Sequence, residues 1–137
     1  MKLALLISML AVGGIFAREV QVTVEGTLKC SRPFHHRIFI YEMDKFVHDR
    51  IGYHDDYSDR TVHTFKATGK AYDGWPEQYV EPRMYLWHNC EPSIENECFC
   101  KNLGDIWQDL HVKFDLNLDN FTNYRKDFKR CDCEYVL

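Results

Sequence analysis

Apolar and polar positions along this chain mostly alternate with a period of two. Val20, Val22 and Val24 alternate with polar residues, the pattern of a strand with one buried face. Arg37 to Met43 is apolar on both faces, with Ile38 and Ile40 on one and Phe39 and Tyr41 on the other, which suits a strand inside a sandwich. The segment from His48 to Arg60 is rich in Asp, His and Tyr and reads as an exposed loop or edge. Thr61 to Ala67 is the next strand, closed by Thr68-Gly69. Asp73-Gly74 and Trp75-Pro76 signal turns, and Pro82 then opens a strand where a missing N–H does little harm. A short strand is expected around Phe99 and a helical turn over Asp105–Leu110. Val112, Phe114, Leu116 and Leu118 alternate with polar residues in a further strand. Phe121, Tyr124 and Phe128 have the spacing of a short amphipathic helix. Gly26, inside the first strand, marks a bulge or a close backbone approach. Short strands without intervening helical patterns indicate an all-β sandwich or barrel.

The N-terminus reads differently. Lys2 precedes an apolar run from Leu3 to Val12, and Gly13-Gly14 and Ile15-Phe16-Ala17 follow. This is the pattern of a signal peptide over 1–17, with the folded domain over 18–137. The run is too short to span a bilayer, which needs about 20 residues, and no second apolar stretch follows. The remaining ~120 residues suit one domain. The net charge of −4, with scattered Lys and Arg, argues against a nucleic-acid partner.

Behind a secretion signal, the six cysteines, Cys30, Cys90, Cys98, Cys100, Cys131 and Cys133, read as a disulfide framework. Zinc on the two Cys-x-Cys pairs is the competing reading, but structural zinc sites usually space their ligands C-x2-4-C. The expectation is three disulfides and no metal. Cys90 is expected to close a short loop with Cys98 or Cys100 and Cys30 to reach Cys131 or Cys133. Asn120-Phe121-Thr122 is a glycosylation sequon. His35, His36, His48, His54 and His63, with Asp55 and Asp56, have the chemistry of metal ligands. Their default reading is solvated loop residues. No carboxylate spacing singles out a glycosidase pair, and no nucleophile elbow, P-loop or dinucleotide-binding motif occurs. Tyr85, Trp87 and His88 form a candidate binding surface, with bulk on both strand faces. The alternative for the aromatics is core filling, and for His88 a partly buried ring hydrogen-bonded to a neighbouring backbone group.

Two strands that end on cysteine carry a resemblance. Val24-Glu25-Gly26-Thr27-Leu28-Lys29-Cys30 and Pro82-Arg83-Met84-Tyr85-Leu86-Trp87-His88-Asn89-Cys90, with Thr64 to Gly69 between them, resemble the nematode transthyretin-like family. The resemblance implies a transthyretin-like (prealbumin-like) antiparallel β-sandwich of about seven strands, stapled by disulfides. It implies a secreted, non-catalytic binding protein without a cofactor. Its unknown extracellular ligand would be a lipid, a small hydrophobic molecule or a cell-surface component. A secreted structural or host-interaction role is the alternative. A hydrolase on the same fold is a further one, but the chain ends Cys133-Glu134-Tyr135-Val136-Leu137 and lacks that enzyme's Tyr-Arg-Gly-Ser ending.

Overall fold

The computed structural model describes residues 18–44, 47–73, 79–91, 97–120 and 128–130. The expected signal peptide, the turns over 74–76, the tail aromatics Phe121 and Tyr124, and Cys131 and Cys133 lie outside these residues. The described chain is all-β. Its strands are β1 (Arg18–Met43), β2 (His48–Asp73), β3 (Pro82–His88), β4 (Glu97–Asn102), β5 (Leu110–Asn117) and β6 (Lys129–Arg130). They form one sheet ordered β2-β1-β3-β4-β6, with β5 attached to β1.

β1 and β2 make one long antiparallel hairpin that bends in its middle. The N-terminal half of β1 pairs with the returning half of β2, Val22 opposite Gly69 and Val24 opposite Ala67. On its other edge it pairs in parallel with β5, Val24 opposite Val112 and Leu28 opposite Leu116. The C-terminal half of β1 pairs with the outgoing half of β2 and with β3, Ile38 lying opposite both His54 and Leu86. The ladder breaks between Lys29 and Phe34. Pro33 sits in this break, where a residue without an N–H is tolerated.

The bend folds the sheet onto itself and gives a sandwich-like core. Val20, Val22, Val24 and Leu28 from one half pack with Ile38, Ile40, Met84 and Leu86 from the other. The two halves of β2 approach closely. A Cβ on Gly69 would lie 2.2 Å from the Ile51 carbonyl oxygen. The Gly26 expectation resolves as a close approach, since a Cβ there would lie 1.7 Å from the Phe114 carbonyl oxygen of β5.

Several expectations need correction. His48 to Arg60, expected as a loop or an edge, is an edge: it is the outgoing half of β2, the strand at one edge of the sheet. It continues through Thr61 to Ala67 as one element because the register with β1 resumes beyond the bend. No helical turn forms over Asp105–Leu110. There Ile106 makes an isolated bridge with Val80, each N–H donating to the other's carbonyl at 2.8 Å. The sheet is not wholly antiparallel, because β5 runs parallel to β1.

The cysteine pairing also differs. Cys30 and Cys90 form a disulfide, with Cα atoms 6.0 Å apart. The reason is facing. Cys90 follows His88 on the core side of β3, whereas Cys98 and Cys100 lie opposite Trp87 and Tyr85 on the outer side. A short separation in sequence therefore leaves Cys90 across the sheet from both. Cys98 is disulfide-bonded to a partner outside the described residues. Cys100 carries a free thiol, so the three-disulfide expectation fails.

The bend is locked around the Cys30–Cys90 bond. Arg32 donates from Nε to the Cys90 carbonyl and from Nη2 to the Asn89 carbonyl, each at 2.6 Å. The His35 N–H donates to Asn89 Oδ1 at 2.7 Å. Asp119 accepts from the Ser31 N–H at 3.0 Å and its hydroxyl at 2.7 Å. Backbone groups that the broken ladder frees thus find side-chain partners.

Candidate functional site

The outer face of the β2–β1–β3 sheet carries an alternating array of aromatic rings and guanidinium groups. Strand alternation sends Arg37, Phe39 and Tyr41 of β1 outward, because Ile38 and Ile40 face the core. Register then sets their neighbours. Arg37 lies opposite Asp55 of β2 and Trp87 of β3, and Phe39 lies opposite Tyr53 and Tyr85. The Arg37 guanidinium carbon sits 5.2 Å from the Tyr57 ring centre and 4.9 Å from that of Trp87. Its Nε donates to the Tyr57 hydroxyl. The Arg50 guanidinium carbon lies 5.8 Å from the Phe39 ring and 5.6 Å from the Tyr53 ring. Contacts of this kind are worth about 0.5–2 kcal/mol each, depending on desolvation.

The array has a buried floor and an exposed rim. Phe39, Tyr41, Tyr85 and Cys98 form a small apolar cluster, with Trp87 and Cys100 packed against it. Tyr53 and Tyr57 are each 45% exposed. Burial pushes the Tyr85 hydroxyl and the Cys100 thiol above their ordinary titration ranges, although Arg83 beside each acts in the opposite sense. Of the expected surface residues, only Trp87 lies on the accessible rim. Tyr85 belongs to the floor. His88 is on the opposite face and fully buried. It accepts the Cys90 N–H on Nδ1 at 3.3 Å and stacks on Phe99 at 5.8 Å. Burial holds it down at a pKa of about 4.

A second constellation lies inside. His36, His54 and His63 do not all sit in solvent. His36 and His63 are buried, with Nδ1 atoms 2.8 Å apart. The His54 ring stacks parallel to His36 at 5.4 Å, Phe34 stacks on His63 at 4.1 Å, and Asp56 Oδ2 stands 3.7 Å from His63 Nδ1. His63 Nε2 lies 3.2 Å from the Arg60 carbonyl, which can only accept. A neutral His63 therefore carries its proton on Nε2, and His36 donates from Nδ1. Burial and then the neighbouring His63 and His54 push His36 down to a pKa of about 3, against Asp56 and Asp55. At the far end of the hairpin, burial and then Asp44 raise Glu42 to about 7.

Among the described residues, Cys30, Cys90 and Asp119 bring three potential metal-ligand atoms within 4.8 Å of one another. The disulfide takes both sulfurs out of coordination. Asp119 Oδ1 instead packs 3.8 and 3.7 Å from them. Asn120, the sequon residue, is exposed beside this corner.

Sequence reasoning missed Arg37, Arg50, Tyr53 and Tyr57. The signal was the outward alternation of Arg37, Phe39 and Tyr41, but the partners on β2 follow only from the hairpin register. Among the described residues no helix is long and apolar enough to cross a membrane. No protein-family model and no curated protein matches the chain.

Proposed function

We propose that this chain is a secreted, non-catalytic extracellular binding protein, built as a transthyretin-like sandwich over 18–137 after a signal peptide over 1–17. Its ligand surface is the outer face of β1–β3. The observation that carries the reading is the Arg37 guanidinium held between the Tyr57 and Trp87 rings. A cation and two rings fixed in one plane of contact lose little rotamer freedom on binding, and aromatic and Arg side chains dominate binding energetics. The Cys30–Cys90 staple suits an oxidising compartment. A lipid or another cell-surface component is compatible with such a face.

The test uses the full chain, expressed through a eukaryotic secretory pathway, purified from medium, labelled and applied to cultured cells and their matrix. Saturable retention is expected, weakened about tenfold by Arg37→Ala or Trp87→Ala. Val62→Ala, at an exposed position away from this face, should leave retention intact. Absent or non-saturable retention, or retention indifferent to the two face variants, contradicts the proposal.

A further inference from the structure

We infer that the outer face binds an extended acidic polysaccharide; this rests on that face being the ligand surface. The first reason is charge. The chain as a whole is negative, at −4. Its outer face reverses that sign locally. Arg37, Arg50 and Arg83 project from it, and Lys129 of β6 joins them opposite Cys100. Among the described residues, the opposing acids on this face are Asp55 and Asp59, and Asp55 accepts a hydrogen bond from the Tyr53 hydroxyl. A basic patch on an acidic chain favours an anionic ligand.

The second reason is the alternation of groups. Guanidinium forks pair with carboxylate and sulfate groups through two parallel N–H···O contacts. Arg37 uses Nε on the Tyr57 hydroxyl and keeps its terminal nitrogens for a ligand. Tyr57, Trp87 and Tyr53 offer flat rings against which the C–H faces of pyranose rings can lie. Outward positions on one strand recur at roughly 6.5–7 Å, so the exposed Tyr53 and Tyr57 of β2, with Arg50 and Arg37 beside them, mark out a linear track over the Phe39 and Tyr41 floor. A polymer of sugar rings with regularly spaced anionic groups presents the same two chemistries in alternation.

The third reason is relief. Membrane-surface binding relies on apolar side chains that enter the acyl boundary. Here the purely apolar ring, Phe39, is 2% exposed and lies in the floor, while the exposed Tyr53 and Tyr57 carry hydroxyls and Trp87 on the rim carries an indole N–H. The face is therefore shaped to lie along a polymer and not to penetrate a bilayer.

The test measures binding of the full secreted chain to immobilised heparin, with dextran, phosphatidylserine vesicles and a single-stranded oligonucleotide as comparison probes. Binding to heparin and not to dextran is expected, falling steeply with salt. Arg50→Ala, at an exposed position, should weaken it about tenfold and flatten the salt dependence. Trp87→Ala should weaken it with the salt dependence unchanged, because it removes a ring and no charge. No heparin binding at low salt, or binding that both variants leave intact, overturns the inference. If vesicles or the oligonucleotide bind in a variant-sensitive way and heparin does not, the ligand class is wrong and the surface reading stands. If the variants change binding to no probe and cell retention is equally indifferent, both fail.

Discussion

His36 Nδ1 and His63 Nδ1 lie 2.8 Å apart in the core, and their hydrogen bond joins the two halves of the bent β1–β2 hairpin. Register puts them there. His36 lies opposite Asp56 and His88 in one half of the sheet, and His63 lies opposite Leu28 in the other. Both rings face inward and meet where the halves fold together.

That placement makes the fold acid-sensitive. His36 has a folded-state pKa of about 3 and His88 of about 4, against an ordinary value of 6.5. Both are depressed, so the unfolded chain binds more protons at intermediate pH. Stability is then fully present above about 6.5 and declines as pH falls toward 4 and 3. Each histidine contributes a loss of up to about 1.4 kcal/mol per pH unit in that window. Urea unfolding at pH 7.5, 6 and 5 should give falling midpoints. A flat profile would show that the histidines are not buried neutral.

The Cys30–Cys90 bond closes a loop of 60 residues. Chain-entropy arguments give it about 4 kcal/mol, so Cys30→Ala with Cys90→Ala should lower the melting temperature by on the order of 15 °C. Non-reducing peptide mapping should recover the Cys30 and Cys90 peptides joined. Recovery of Cys90 joined to Cys98 or Cys100 would contradict the assignment.

Gly26 sets the approach of β5 to β1. Gly26→Ala puts a methyl 1.7 Å from the Phe114 carbonyl oxygen, and neither backbone can yield without breaking the parallel ladder. A loss of about 3 kcal/mol is expected. Gly104→Ala meets no atom within 4 Å and bears only the strain of a φ of +89°, about 1 kcal/mol. Hydrogen exchange should show protection lost along Leu110–Asn117 in the first variant only.

Cys100 should alkylate in the native protein without reductant, since it carries a free thiol of intermediate exposure. Burial holds its thiol above the ordinary range. Reaction with iodoacetamide should therefore be slow at pH 7 and accelerate above pH 9, followed by intact mass and peptide mapping. Cys30 and Cys90 should remain unmodified until reduced.

Alternation along single strands was legible in the sequence. The Val20 to Val24 strand, the Pro82 strand, the strand around Phe99 and the strand through Val112, Phe114 and Leu116 all follow from it, although Leu118, expected in that last strand, falls just past its end. Relations between strands were not. His48 to Arg60 left loop and edge undecided, because an edge strand with one solvated face carries few apolar residues. The Cys90 pairing depended on which side of β3 that residue leaves from, and Cys98, opposite Trp87 three positions before Cys90, faces the other side. The buried histidines and the Tyr57–Arg37–Trp87 stack depend on a register joining residues far apart in sequence. Only Trp87 of that stack stood out, because its own strand was conspicuous.

The most direct test of the central claim is an NMR titration of the ¹⁵N-labelled chain with a heparin-derived oligosaccharide. Shifts confined to Arg37, Arg50, Tyr53, Tyr57 and Trp87 and their strand neighbours are expected, with the indole N–H of Trp87 among the largest. Shifts centred on another face, such as the surroundings of Trp107, would contradict it.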